Sequence, residues 1–155
     1  MDAASAEIFA RAREQLADAP REALGTHMVP RRILGIPRAP RIIPAGTAWH
    51  LGVFLLTEDA VFATGEVVRA RHEAIRGYTA EAQRQRSELA AAASRGGFAD
   101  GVVVHIGWEA PGEALLRVED GVPVVRWSVR GGWMPLQDYL RERIELLAHP
   151  PTGST

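Results

Sequence analysis

The chain has 155 residues, a formal net charge of −1, 46% apolar and 24% charged residues, a balance that suits a folded soluble domain and argues against a general polyanion binder. It contains no cysteine, and all 18 of its Lys/Arg positions are arginine. Disulfides, thiolate nucleophiles, cysteine metal ligands, Schiff-base lysines and phosphate-loop lysines are therefore excluded.

The length predicts one domain over residues 1–149 with a frayed tail over 150–155. The N-terminal stretch is too acidic and alanine-rich for a secretory signal, and no apolar run approaches the roughly 20 residues that span a bilayer. A cytoplasmic location without a membrane partner is expected.

Ile8, Phe9, Ala12 and Leu16 recur at helical spacing and predict an amphipathic helix from about Ala4 to Ala17. Asp18 ahead of Pro20 reads as the cap of a short second turn that Gly25 closes. Pro30, Pro37, Pro40 and Pro44 then predict that residues 30–46 form neither helix nor central strand. An extended surface segment is expected there, anchored by Ile33, Leu34, Ile36, Ile42 and Ile43. The segment also carries Arg31, Arg32, Arg38 and Arg41 in a stretch without an acidic residue between Glu22 and Glu58.

Trp49 to Leu56 is apolar on both parities except at His50, which suits a strand covered on both faces. Thr57, Glu58 and Asp59 read as a turn, with Val61 to Arg69 returning antiparallel and Gly65 marking a bulge or close approach. Residues 79–95 predict a long helix capped by Thr79, with Tyr78, Ala82, Leu89, Ala92 and Ala93 inward. Val102 to Trp108 reads as a further strand. Asp120-Gly121 predicts a tight hairpin joining 114–119 to 122–129, with Leu116 opposite Val125 and with Arg117 and Arg126 on the wetter face. Pro135 opens the last helix, whose stripe is Leu136, Tyr139, Leu140, Ile144 and Leu147. The fold class expected from this order is α+β: a mostly antiparallel sheet of about five strands with three main helices on it.

Two constellations carry chemistry. In Trp49-His50-Leu51-Gly52 and His105-Ile106-Gly107-Trp108, each histidine stands two residues before a glycine on an apolar strand, so ring and glycine share a face. The glycine leaves room beside the imidazole, and paired strands would let His50 and His105 line one pocket with Gly52, Gly107 and Glu66. Glu66 or Glu109 would be needed as a third ligand for a metal, and none is expected, nor any cofactor. The alternative is two core histidines bonded to backbone. Arg31, Arg32, Arg38 and Arg41 form the second constellation, since guanidinium forks bind phosphate and carboxylate bidentately. A solvated edge paired with helix glutamates is the alternative, and nucleic acid is not expected because no aromatic residue is interleaved.

Residues 25–46, the phrase RGYTAEAQRQR (76–86) and the phrase RGGWMPLQDYL (130–140) resemble a small bacterial family whose members are sometimes labelled glutaminase. The resemblance implies a small amidase. It assigns no catalytic residue, because the Ser-x-x-Lys pair and the cysteine of known glutaminase types are both missing. The expected function is a small-ligand-binding or assembly domain. The alternatives are a hydrolase or metal-dependent enzyme using His50 and His105, and an anion or nucleic-acid contact through residues 31–41. A homodimer is expected through the last helix or the sheet face near Trp127 and Trp133.

Overall fold

A computed structural model describes residues 1–72 and 80–152. In chain order the elements are α1 (Ala3–Gln15), β1 (Glu22–Met28), β2 (Arg41–Leu51), β3 (Phe54–Leu56), β4 (Val61–Ala63), β5 (Glu66–Arg69), α2 (Glu81–Arg95), β6 (Val103–Ile106), β7 (Leu116–Glu119), β8 (Val122–Arg126), β9 (Trp133–Pro135) and α3 (Leu136–Ala148). Hydrogen-bonded strands follow in the order β4-β3-β2-β1-β6-β5, with a second ladder β7-β8-β9. The class is α+β, with three helices among the described residues. No helix among the described residues is long and apolar enough to cross a membrane.

The chain divides into two compact units, one made of 1–21, 48–64 and 108–155, the other of 22–47 and 65–107. The long strand β2 contributes its first part to the second unit and Ala48–Leu51 to the first.

In the first unit, Asp2 caps α1 by accepting from the Ser5 backbone N–H at 2.9 Å and the Ser5 hydroxyl at 2.6 Å. Phe9, Ala12 and Leu16 then pack with Trp49, Leu51, Phe54, Leu56, Val125, Leu136, Tyr139, Leu140 and Ile144 in one buried cluster. Phe54 sits at its centre, edge-on to Phe9 at 5.3 Å and to Tyr139 at 6.1 Å between ring centroids. Arg13 satisfies the turn after β3, donating to Thr57 O at 2.7 Å and Ala60 O at 3.2 Å. The 120–121 turn has Asp120 at φ 49° and Gly121 at φ 78°, the tight hairpin geometry expected for Asp-Gly. Leu116 stands opposite Val125 as the alternation required, and Arg117 shares the other face with Arg126 and stacks over Trp133 at 3.8 Å.

The second unit holds β1 parallel to β6 and β5 antiparallel to β6, with α2 on one face. Ile42, Val68, Val104 and Ile106 meet Ala92 and Ala93 there. The small alanine face lets the helix approach closely, and glycines take up the rest. A Cβ on Gly96 would overlap the Ile42 carbonyl oxygen. A Cβ on Gly25 would stand 2.6 Å from Ile42 Cγ2 and 2.7 Å from Val104 Cγ1. Gly65 lies against the Ile106 and Gly107 backbone, which is the close approach its place in the sequence suggested.

Several expectations are overturned. The ladder is six strands and mixed, because β1, expected as a short turn, is a strand that joins β6 in parallel. Gly25 lies inside that strand and permits tight packing instead of ending a helix. Residues 41–47 are strand despite Pro44, and β3 pairs with β2 over Trp49–Leu51 alone, so the earlier part of β2 has a flank where a missing N–H is tolerated. Ile33, Leu34 and Ile36 do not anchor the preceding segment, since all three are exposed; Ile42 alone of the five is fully buried. The apolar run 49–56 is a hairpin that turns at Gly52-Val53, and 61–69 is two strands, β4 on β3 and β5 on β6. Trp133–Pro135 adds an unforeseen third strand beside β8. The expected cap Thr79 and the inward Tyr78 fall outside the described residues, and α2 begins at Glu81 after Ala80.

Gly96→Ala should cost about 3 kcal/mol, the upper range for overpacking, because backbone cannot yield as a side-chain tip does. Urea denaturation checks it, and an unchanged midpoint would contradict the close approach. The Ser5 hydroxyl, and then its N–H, hold the Asp2 carboxyl below its ordinary 3.8. A depressed folded value contributes stability above the unfolded value and loses it as pH falls through the folded one. Asp2→Ala should therefore cost about 1 kcal/mol at neutral pH, with the difference fading below pH 3.8.

Candidate functional site

The two histidines of the sequence echo belong to different units, and each is described within its own. In the first unit His50 is half-buried on β2, and its Nε2 lies 3.0 Å from the Gly52 carbonyl oxygen, so Nε2–H donates to backbone. Gly52 does not open space for a ligand. It turns the β2–β3 hairpin at φ 63°, and a Cβ there would collide with the Tyr139 hydroxyl, which accepts from Val53 N–H at 2.9 Å. Gly107 likewise ends β6 at φ 66°. Both glycines are explained by positive φ at strand ends.

In the second unit His105 is fully buried on β6, on the face opposite Val104 and Ile106. Its Nε2 lies 3.0 Å from Glu22 Oε2 at the start of the neighbouring parallel strand. A carboxylate accepts, so Nε2 carries the proton in this bond. The register Leu24↔His105 puts Glu22, two residues before Leu24, on the same face as the ring. Glu66, the carboxylate expected beside it, pairs with Ile106 and so shares the opposite face, and it is exposed. The sequence pointed to a polar partner for a buried imidazole but to the wrong one, since β1 was not read as a strand.

The arginine run occupies the connection from β1 to β2 and the first residue of β2. Arg31, Arg32 and Arg38 are exposed and Arg41 is half-buried. Among the described residues none of the four pairs with a carboxylate; the ion pairs present join Arg11–Glu7, Arg21–Glu58, Arg84–Glu81, Arg117–Glu119 and Arg141–Asp138. The edge is solvent-exposed, and among the described residues no helix glutamate balances it.

A different cationic site appears in the second unit. Val67, Val68 and Arg69 of β5, Arg71 just beyond it, and Gln83, Arg86, Ser87 and Ala90 of α2 line a cleft of about 370 Å³. β5 ends its ladder among the described strands, and its Val67, Val68 and Arg69 form one wall of this cleft. α2 is drawn over the sheet by its Ala92-Ala93 face and by Gly96, and Ala90, with Ser87 one turn and Gln83 two turns before it, falls on the rim beside β5. Arg71 N–H bonds the Ala90 carbonyl at 3.1 Å, tying the chain after β5 to the helix. Arg69 Nη1 donates to Gly101 O at 3.0 Å and Arg86 Nε to Ala82 O at 3.4 Å, which leave further guanidinium N–H groups of both.

Among the described residues no acidic side chain lines the cleft, and Glu22 and His105 are not among its walls. Three guanidinium groups, an amide, a hydroxyl and a strand edge make a donor-rich surface, suited to an anion. Sequence reasoning singled out none of Arg69, Arg71 and Arg86. The available signal was Arg69-x-Arg71 at the end of one strand, which becomes meaningful only once β5 is an edge.

Protein-family models, curated proteins and solved structures were compared with the chain, and none matches it.

Glu22→Ala should destabilise the second unit by about 1–3 kcal/mol, since it removes a hydrogen-bond partner from a fully buried ring. Chemical denaturation measures it. Glu66→Ala, exposed and on the other face, should change stability by less than about 0.5 kcal/mol. Equal effects of the two would contradict the assignment.

Proposed function

We propose that the protein binds a small anion bearing phosphate or carboxylate groups in the cleft between β5 and α2. The observation that carries this reading is the convergence of Arg69, Arg71 and Arg86 on one concavity, with no carboxylate among the described residues of its lining. Three like charges brought together repel one another, an arrangement that an anionic ligand relieves. Arginine suits the task better than a simple point charge, because its fork matches two oxygens of one phosphate or carboxylate.

The volume of about 370 Å³ falls in the lower part of the range for small-molecule sites. Its walls set guanidinium, amide and hydroxyl groups beside the apolar Val67, Val68 and Ala90. A compact, multiply charged ligand therefore fits better than a drug-like apolar one. The reading narrows the expectation of a small-ligand-binding domain and moves its anion contact from residues 31–41 to 69–86. The amidase implied by the glutaminase resemblance assigns no residue, and the Glu22–His105 pair lies outside the cleft.

Inorganic phosphate or citrate should raise the thermal midpoint in low salt, and the rise should shrink as chloride is added. Arg71→Gln and Arg86→Gln should each weaken binding by about tenfold in calorimetry, as expected for loss of one charge-assisted contact. Arg84→Gln is the control, because Arg84 already pairs with Glu81 at 2.8 Å. Affinity for both anions unchanged in the Arg71 and Arg86 variants would contradict the reading.

A further inference from the structure

The connection between β1 and β2 ends in a small hairpin tip that the rest of the fold does not explain. Ile33 and Ile36 form an antiparallel bridge, and Ile36 N–H donates to Ile33 O at 3.0 Å. Between them Leu34 lies at φ 53° and Gly35 at φ 76°. Two successive left-handed residues make the tight turn that Asn-Gly or Asp-Gly serves best in water. Here a leucine occupies the first position, where its Cβ is strained, and its side chain is 95% exposed. Ile33 at 57% and Ile36 at 65% stand beside it, also in solvent.

A sequence that needed only a turn would gain by replacing Leu34. Keeping an apolar residue at a strained, solvent-facing apex is accounted for when something apolar receives it. The charges nearby indicate what. Arg31 and Arg32 stand directly before the tip and Arg38 two residues after it, all exposed, in a stretch with no acidic residue from 23 to 57. Pro30, Pro37 and Pro40 restrict the backbone around the tip, so little ordering is left to occur on contact.

We propose that residues 31–38 dock on an anionic lipid surface, with Ile33, Leu34 and Ile36 entering the headgroup–acyl boundary and Arg31, Arg32 and Arg38 meeting lipid phosphates. Two features favour a bilayer over a protein groove. The tip is the convex apex of a turn, which needs a medium that closes around it. Its chemistry is also layered in the order a leaflet presents, cationic side chains behind and aliphatic ones ahead, on both sides of the turn. Three aliphatic side chains give weak partition by themselves, so dependence on anionic lipid is expected. This surface contact departs from the sequence expectation of no membrane partner and requires no spanning helix.

The test is sedimentation of the full chain with vesicles of phosphatidylcholine alone and of phosphatidylcholine mixed with phosphatidylglycerol. Binding is expected to the mixed vesicles only, and to fall with added salt. Leu34→Asn should weaken it by about tenfold or more while leaving the thermal midpoint equal or higher, because asparagine tolerates the left-handed backbone. Arg31→Gln, Arg32→Gln and Arg38→Gln should each weaken it by about fivefold. Binding to neither vesicle, or binding that Leu34→Asn leaves intact, overturns the proposal. So does a vesicle-free oligomer that Leu34→Asn dissociates, which would make a second copy of the chain the occupant.

Discussion

The close approach of α2 to the Ile42 carbonyl is the contact on which the second unit depends. A helix normally rides on a sheet with side chains between the two backbones, but here Gly96 brings the end of α2 directly against β2. The alanine face extends the same contact backward, with Ala93 fully buried and Ala92 nearly so. Gly25 repeats the device on the neighbouring strand, between Ile42 and Val104. Larger residues would lift the helix, and the cleft beside β5 would open into plain surface. The donor set at residues 69–87 is thus a consequence of packing at residues 25, 42 and 96. Arg95 reinforces that end by donating from Nε and Nη2 to the Pro40 carbonyl, at 3.1 and 2.9 Å.

The first unit solves a different problem, that of a hairpin whose turn is half-buried. Gly52 and Val53 reverse the chain within an apolar run, which leaves the Val53 N–H without a strand partner. The Tyr139 hydroxyl supplies one from α3, so a core aromatic ring also satisfies a backbone donor. At the other end of β3, Arg13 of α1 does the same for two carbonyls, and Trp49 Nε1–H donates to Ala19 O at 3.2 Å. Side chains from helices thereby complete the turns of a short meander, and little of the apolar surface is interrupted.

How much of this was legible follows from which signals are local. The 120–121 turn and the α3 stripe were readable because turn chemistry and helical period lie within a few neighbouring residues. The α1 stripe was readable for the same reason. β1 was not, because Glu22-Ala-Leu-Gly-Thr-His-Met has no clean alternation and its place is set by parallel pairing with a strand some eighty residues later. That omission carried through to the site: without β1, Glu22 had no reason to reach His105, and Glu66 took its place. Proline misled over 41–47 because the rule against strand proline presumes a strand paired on both flanks. The glycines of the two echoes, Gly52 and Gly107, owe their places to positive φ at strand ends. The arginines of the cleft were invisible for a related reason, since a cleft at a sheet edge exists only after the strand order is known.

Two cationic regions now compete for any anion this protein meets, the cleft at 69–86 and the tip at 31–38. They differ in form, since one is concave with neutral donors among the guanidinium groups and the other is convex with an aliphatic apex. A concave donor set suits a small anion that can be surrounded; a convex one suits an extended surface. The most direct measurement is a titration of isotope-labelled protein with inorganic phosphate, following arginine Nε–H and backbone amide resonances. The account predicts saturable shifts at Arg69, Arg71 and Arg86 and at the amides of β5 and of residues 83–90, with Arg31, Arg32 and Arg38 unmoved. Shifts confined to the 31–41 run, or none that saturate, would contradict it.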